Sequence, residues 1–200
     1  MLTSPPNLLT LFRIVAIPGI VALFYLETDL GKWLACGLFS IAAITDFLDG
    51  YLARVYSQQS AFGRFLDPVA DKLLVAAALL LLTGFGQIGG LTIVPAVIIL
   101  CREILVSGLR EFLAGISIGV PVSSLAKWKT MLQMFSIGFL IVGNSGPAFL
   151  PTRLIGETGL WVAAVLTLIT GYDYLRAGMQ HIARADKVGA ALDTGGRKDR

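Results

Sequence analysis

The chain has 200 residues, of which 56% are hydrophobic and only 14% charged, with a formal net charge of +3. Soluble domains average about 45–50% apolar and about 25% charged residues, so this composition argues against a water-soluble globular domain. The two cysteines, Cys36 and Cys101, lie in apolar runs without metal-type spacing, which argues against a disulfide framework or a cysteine metal site.

Six apolar runs follow one another along the chain, each near the ~20 residues that a membrane-spanning helix needs. They cover residues 8–26, 32–56, 63–83, 91–113, 125–142 and 157–182. No small-residue cleavage site follows the first run, so we expect a retained helix there and no signal peptide. The predicted fold is all-α, a polytopic membrane protein with six transmembrane helices.

Basic residues predict the orientation of these helices. If both termini are cytoplasmic, fourteen of the sixteen lysines and arginines fall on the cytoplasmic side, and only Lys32 and Arg153 fall outside. The reverse orientation would violate the positive-inside rule. We therefore expect an N-in, C-in transmembrane domain over residues 1–185 and a flexible cytoplasmic tail over residues 186–200.

Four aspartates lie at the cytoplasmic ends of the second and third runs: Asp46, Asp49, Asp67 and Asp71. An ionised group inside an apolar span costs about 2.5–3.5 kcal/mol on insertion scales. Interfacial snorkelling is the alternative, but it suits long lysine and arginine side chains better than short aspartates. The cluster therefore predicts a polar cavity that opens to the cytoplasm.

The spacing of these aspartates brings them together. On a helix Asp46 and Asp49 are three apart and Asp67 and Asp71 four apart, so each pair shares a face. Four close carboxylates would raise one another's pKa unless cations compensate them. Hard oxygen ligands suit Mg²⁺ or Mn²⁺, and two such ions commonly serve phosphoryl chemistry.

Small and basic residues accompany the aspartates. Gly50 would let a diphosphate approach the backbone, Ala53 keeps that helix face open, and Arg54 offers a fork for phosphate oxygens. Gly63 lets the third helix begin close to the second. Close helix packing is an equally good explanation for either glycine, and Arg54 could instead anchor at lipid headgroups.

Taken together, these positions form one string with fixed spacing. It reads Asp46-x₂-Asp49-Gly50-x₂-Ala53-Arg54-x₈-Gly63-x₃-Asp67-x₃-Asp71. The string resembles the signature of the CDP-alcohol phosphatidyltransferases at all eight specified positions. The resemblance implies six membrane helices, a place in the bacterial inner membrane and a homodimer.

The resemblance also implies roles for the signature residues. Asp46, Asp49, Asp67 and Asp71 would bind two divalent cations, with Asp71 a ligand or the general base. The CDP-lipid donor, CDP-diacylglycerol, would be contacted by Asp49, Gly50, Ala53, Arg54 and Gly63.

The acceptor alcohol is a separate question. Cations near the cytoplasmic ends of the later helices suit an acceptor phosphate, although any of them could be a positive-inside anchor: Arg102, Arg110, Lys127, Lys129 and Arg176. Three further strings resemble family members that use glycerol 3-phosphate: Asn7-Leu8-Leu9-Thr10-x₂-Arg13, Arg102-Glu103-Ile104-x₃-Gly108-Leu109-Arg110-Glu111 and Lys127-x-Lys129-Thr130-x₂-Gln133. This resemblance adds Thr10 and Arg13 to the predicted acceptor site. Inositol phosphate, serine and phosphatidylglycerol remain alternative acceptors.

Two other classes of protein also place acids in membrane helices. A cation transporter is one, but these acids cluster at one face, and no inverted repeat is evident. A catalytically silent scaffold of the same fold is the other. Metal-dependent release of CMP would separate an enzyme from both.

Overall fold

A computed structural model describes the backbone of residues 5–56, 61–115 and 124–195. It also describes their side chains, apart from those of residues 5–6, 46–56, 61–62, 64–65, 124, 126 and 181–195. The described chain is all-helical. Its six α-helices are α1 Pro5–Phe24, α2 Asp29–Tyr56, α3 Ala61–Gly84, α4 Ile93–Gly115, α5 Ser124–Val142 and α6 Thr152–Gly195.

Three of these helices are long and apolar enough to cross a membrane, over Asn7–Phe24, Gly90–Gly115 and Thr152–Gln180. Large apolar side chains stand outward on the helices, as on Val15, Leu80 and Phe135, which are 61%, 74% and 65% exposed. Such a surface suits lipid better than water. Six spans and the N-in, C-in orientation remain predictions.

The bundle is held by small and branched side chains packed between helices. Its core includes Ala16 of α1, Ala35 and Phe39 of α2, Leu74 and Ala78 of α3, Ile99 of α4, Ile137 of α5 and Leu160 and Ala163 of α6. Helices α5 and α6 approach very closely, since a Cβ at Gly159 would overlap the hydroxyl of Ser136. Small residues at such crossings let membrane helices pack backbone to backbone.

One end of the bundle, which we call the loop end, comprises residues 25–33, 84–92 and 143–157. Trp33 Nε1 donates to the Ser145 carbonyl at 3.1 Å, and the Ser145 hydroxyl donates to Asp29. The Thr152 hydroxyl donates to the Gly143 carbonyl. The two bonds to Ser145 tie the start of α2 to the α5–α6 connection, and the bond from Thr152 closes that connection on itself.

Helix α6 departs most from its predicted bounds. It begins five residues before the predicted run and continues to Gly195. Pro151 immediately precedes the first residue of α6, where the missing N–H of proline costs the helix no hydrogen bond. The polar continuation lies beyond the apolar run, so hydropathy did not reveal it. A flexible tail over residues 186–200 remains a prediction.

Candidate active site

Two of the four predicted metal-binding aspartates have described side chains, and both lie on α3. Asp67 and Asp71 are one turn apart, with Asp67 41% exposed and Asp71 partly buried. Pro68 sits between them inside the helix, and its carbonyl accepts a bond from Lys72 Nζ at 2.7 Å. The i, i+4 spacing thus places two carboxylates on one helix face, as predicted from the sequence.

Arg13 crosses from α1 to meet the first of these carboxylates. Its side chain is 0% exposed, and its Nη2 forms an ion pair with Oδ1 of Asp67. Thr10, one turn earlier on α1, is also buried. A buried guanidinium is costly unless paired, so this pair fixes α1 against α3 at the aspartates.

A second charged network surrounds Glu103 on α4. Its Oε1 pairs with Nζ of Lys129 on α5 and lies 3.7 Å from Nη1 of Arg102. Nη2 of Arg102 donates to the hydroxyl of Thr170 on α6 at 3.1 Å. One carboxylate therefore joins α4, α5 and, through Arg102, α6. We call Arg13, Asp67, Asp71, Glu103 and Lys129 the charged end of the bundle.

A small cavity opens between α3, α4 and α5. Its lining consists of Asp71, Lys72, Val75, Leu100, Glu103, Thr130, Gln133 and Met134. The lining brings a signature aspartate next to the Glu103 network. It is the meeting point of the predicted metal region and the predicted acceptor region.

The predicted acceptor residues divide by exposure. Arg13 and Lys129 are buried in ion pairs, and Arg102 is held between Glu103 and Thr170. The other three predicted cations are exposed: Arg110, Lys127 and Arg176. Arg110 Cζ lies 5.9 Å from the ring centre of Tyr174, within range of a cation–π contact.

Several predicted donor-site residues lie on described helices but outside the described side chains. They are Asp49, Gly50, Ala53 and Arg54, all on α2, and the same holds for Asp46, which was predicted as a metal ligand only. Gly63 is described and lies in the first turns of α3, partly buried. The predicted contacts to the CDP-lipid therefore stay predictions.

A divalent cation such as Mg²⁺ needs several oxygen ligands around it. Among the described residues no three histidine, cysteine or acidic side chains form a group that could hold a metal. Asp67 and Asp71 offer two hard oxygen ligands on one helix face, and such ligands suit Mg²⁺ or Mn²⁺. The other two predicted ligands belong to α2 and lie outside the described side chains.

Three site residues received no role from the sequence: Glu103, Gln133 and Thr170. Glu103 is an acid beside Arg102, and Gln133 is four residues after Lys129, so each carries a weak signal of shared helix face. Thr170 carries none, because a threonine in an apolar helix is ordinary. Only the packing of α6 against α4 reveals it.

Comparison with known proteins places this geometry in a family. The family model of the CDP-alcohol phosphatidyltransferases matches residues 3–169. A Rickettsia bellii protein named CDP-diacylglycerol–glycerol-3-phosphate 3-phosphatidyltransferase is 49% identical over 86% of this chain and 93% of its own length. A Cereibacter sphaeroides protein of the same name is 39% identical over 90% of this chain and 97% of its own.

A solved structure has the same fold. The phosphatidylinositol phosphate synthase of Mycobacterium tuberculosis, in its apo form, superposes with a TM-score of 0.63 at 21% identity. The match covers 86% of this chain and 87% of that one. At that identity the likeness speaks for the fold alone. With the family match over most of its length and relatives at 39–49% identity, this chain belongs to the CDP-alcohol phosphatidyltransferase family.

Proposed function

We propose that this chain transfers the phosphatidyl group of CDP-diacylglycerol to glycerol 3-phosphate, which yields phosphatidylglycerol phosphate and CMP. The observation that carries the choice of acceptor is the 49% identity, over 86% of the chain, to a relative named for glycerol 3-phosphate. The cavity supports the same chemistry, because it places a signature aspartate, Asp71, in a polar pocket inside an apolar bundle.

The proposal includes two divalent cations, Mg²⁺ or Mn²⁺, held by Asp46, Asp49, Asp67 and Asp71. When bound, such cations offset the carboxylates and stabilise negative charge on the transferring phosphoryl group. The exposed carboxylate of Asp67 and the cavity position of Asp71 support this assignment.

Asp71 acts as the general base in this scheme. The primary hydroxyl oxygen of glycerol 3-phosphate forms a bond to the lipid-side phosphorus, and the bond from that phosphorus to CMP breaks. CMP leaves with the electron pair, and the hydroxyl proton passes to the Asp71 carboxylate. Its place in the cavity lining supports this role, since an acceptor must enter there to meet it.

Arg13 positions the metal-binding region. Its fully buried guanidinium pairs with Asp67, which supports a role in orienting that carboxylate. The acceptor phosphate is then bound by cations with exposed side chains: Arg110, Lys127 and Arg176. Lys129 and Arg102 hold Glu103 at the inner edge of that region.

The donor nucleotide is placed on α2 and the start of α3. Asp49, Gly50, Ala53, Arg54 and Gly63 contact the cytidine diphosphate, while the acyl chains remain in lipid. The matching signature in the sequence supports these contacts. All six helices span the inner membrane, both termini and the active site face the cytoplasm, and the protein forms a homodimer through its membrane helices.

Cysteine labelling tests the orientation. Cys36 and Cys101 are first replaced by alanine, and single cysteines are introduced as Lys127→Cys or Arg153→Cys. A membrane-impermeant maleimide added to intact cells should label the Arg153 variant only. Labelling of the Lys127 variant in intact cells would reverse the proposed orientation. Light scattering of the detergent-solubilised protein tests the dimer.

Release of CMP from CDP-diacylglycerol in detergent micelles tests the reaction. The acceptor panel contains glycerol 3-phosphate, inositol phosphate, serine and phosphatidylglycerol, with Mg²⁺ or Mn²⁺ and with EDTA. Turnover with glycerol 3-phosphate alone, lost in EDTA, is the expected result. Turnover with another acceptor alone would overturn the substrate assignment, and no turnover with any acceptor would overturn the reaction.

A further inference from the structure

Gln133 is a buried polar residue that the proposed mechanism does not use. It lies on α5 with 2% of its surface exposed. Its Oε1 is buried and has no hydrogen-bond partner among the described residues. Burying a polar atom without a partner costs free energy, so native proteins keep such atoms where something else satisfies them.

The side chain that carries this Oε1 atom lines the cavity. Gln133 belongs to the same lining as Asp71, Glu103 and Thr130. Lys129, one turn earlier on α5, already pairs with Glu103 and is therefore engaged elsewhere. A ligand that enters the cavity to reach Asp71 thus passes the free end of Gln133.

The charges of the lining indicate which part of a ligand fits there. Glu103 of the lining is already paired with Lys129, and the one described lining cation, Lys72, donates its ammonium to the Pro68 carbonyl at 2.7 Å. Among the described residues the lining therefore offers a phosphate dianion no unengaged cation, and an uncharged polar group suits it better. A hydroxyl group both donates and accepts, so it satisfies the carboxamide whichever way its oxygen and nitrogen are oriented.

We infer that Gln133 binds the secondary hydroxyl of the acceptor while the neighbouring primary hydroxyl lies at Asp71. This inference rests on the proposed function and adds a specificity-determining residue to it. The cavity holds the glycerol portion, and the phosphate lies outside it toward the exposed cations. Gln133 thereby selects acceptors that carry a second hydroxyl next to the attacking one.

Removing that hydroxyl from the acceptor tests the inference without altering the protein. The analogue 3-hydroxypropyl phosphate keeps the primary hydroxyl and the phosphate but lacks the secondary hydroxyl. Wild-type enzyme should show a kcat/KM for glycerol 3-phosphate about ten- to a hundredfold higher than for the analogue. Equal kcat/KM values for the two acceptors would overturn the inference.

The matching change in the protein is Gln133→Met, which keeps the side-chain length and removes the carboxamide. The variant should lose most of its kcat/KM for glycerol 3-phosphate and keep that for the analogue within about threefold, so the preference disappears. An equal loss with both acceptors would mean that Gln133 is merely structural and would overturn the inference.

Thr167→Val is the matched control. Thr167, on α6, is also fully buried, and its hydroxyl has no hydrogen-bond partner among the described residues, but it is not part of the cavity lining. This variant should keep the wild-type preference between the two acceptors, and loss of the preference would count against a specific role for Gln133. If wild-type enzyme releases no CMP with glycerol 3-phosphate, both the proposed function and this inference are wrong. Turnover with equal kcat/KM for glycerol 3-phosphate and the analogue overturns this inference alone.

Discussion

Different interactions join the helices at the loop end and at the charged end of the bundle. At the loop end, Trp33 and Thr152 donate to backbone carbonyls, and the charged pair Arg153–Glu157 is a partly exposed i, i+4 pair with a 2.9 Å contact. At the charged end, Arg13 and Lys129 are 0% and 2% exposed and meet carboxylates from other helices.

The difference separates what holds the fold from what the site needs. Neutral bonds to backbone carbonyls join helices without burying a charge. Buried ion pairs often contribute little net stability, because desolvation offsets the attraction. If the two buried cations serve the proposed chemistry, substitutions at the two ends of the bundle should have unequal effects on turnover.

The largest effect is expected at Asp67. Asp67→Asn keeps the size of the side chain but removes its charge, and kcat should fall by about a thousandfold or more because a proposed metal ligand is lost. The yield of detergent-solubilised protein should match wild type. Residual activity within tenfold of wild type would remove Asp67 from the metal site.

Arg13 should give the next largest effect. Arg13→Gln should lower kcat about ten- to a hundredfold, since Asp67 loses the group that orients it. Arg13→Lys, which keeps the charge, should recover part of the loss. The sequence resemblance placed Arg13 in the acceptor site instead, and that role would appear as a raised KM for glycerol 3-phosphate with kcat unchanged.

An exposed cation should have a smaller effect, confined to acceptor binding. Lys127→Ala should raise the KM for glycerol 3-phosphate about tenfold through loss of a charged hydrogen bond. The KM for CDP-diacylglycerol should stay constant. Arg153→Ala removes a cation at the loop end and serves as the matched control, with both KM values unchanged. An equal rise in both KM values for Lys127→Ala would contradict its assignment to the acceptor.

The smallest effect on activity is expected at Trp33. Trp33→Phe removes the 3.1 Å bond to the Ser145 carbonyl and should lower the free energy of unfolding by about 0.5–1.5 kcal/mol. Turnover at a temperature well below the melting point should match wild type. A large loss of kcat in Trp33→Phe at that temperature would contradict the proposal that the loop end supports only the fold.

The sequence predicted local features well and pairings between helices poorly. Apolar runs located all six helices, and α5 was predicted within one residue of its start and at its observed end, Val142. The i, i+4 spacing predicted the shared face of Asp67 and Asp71. No periodicity relates residues 54 apart, so the pairing of Arg13 with Asp67 depended on the packing of α1 against α3. Gln133 received no role for the same reason, because the cavity that it lines is formed by three helices.

The pairing of Arg13 with Asp67 also bears on how the protein is made. Arg13 lies within the first apolar span, and its partner is synthesised 54 residues later. In the proposed topology, a nascent α1 would enter the bilayer before its arginine has met the carboxylate, which favours a shallow position with the guanidinium at the headgroups. Arrival of α3 would then supply the carboxylate and let α1 move inward. In that topology, docking of the third helix would be the step that completes insertion of the first.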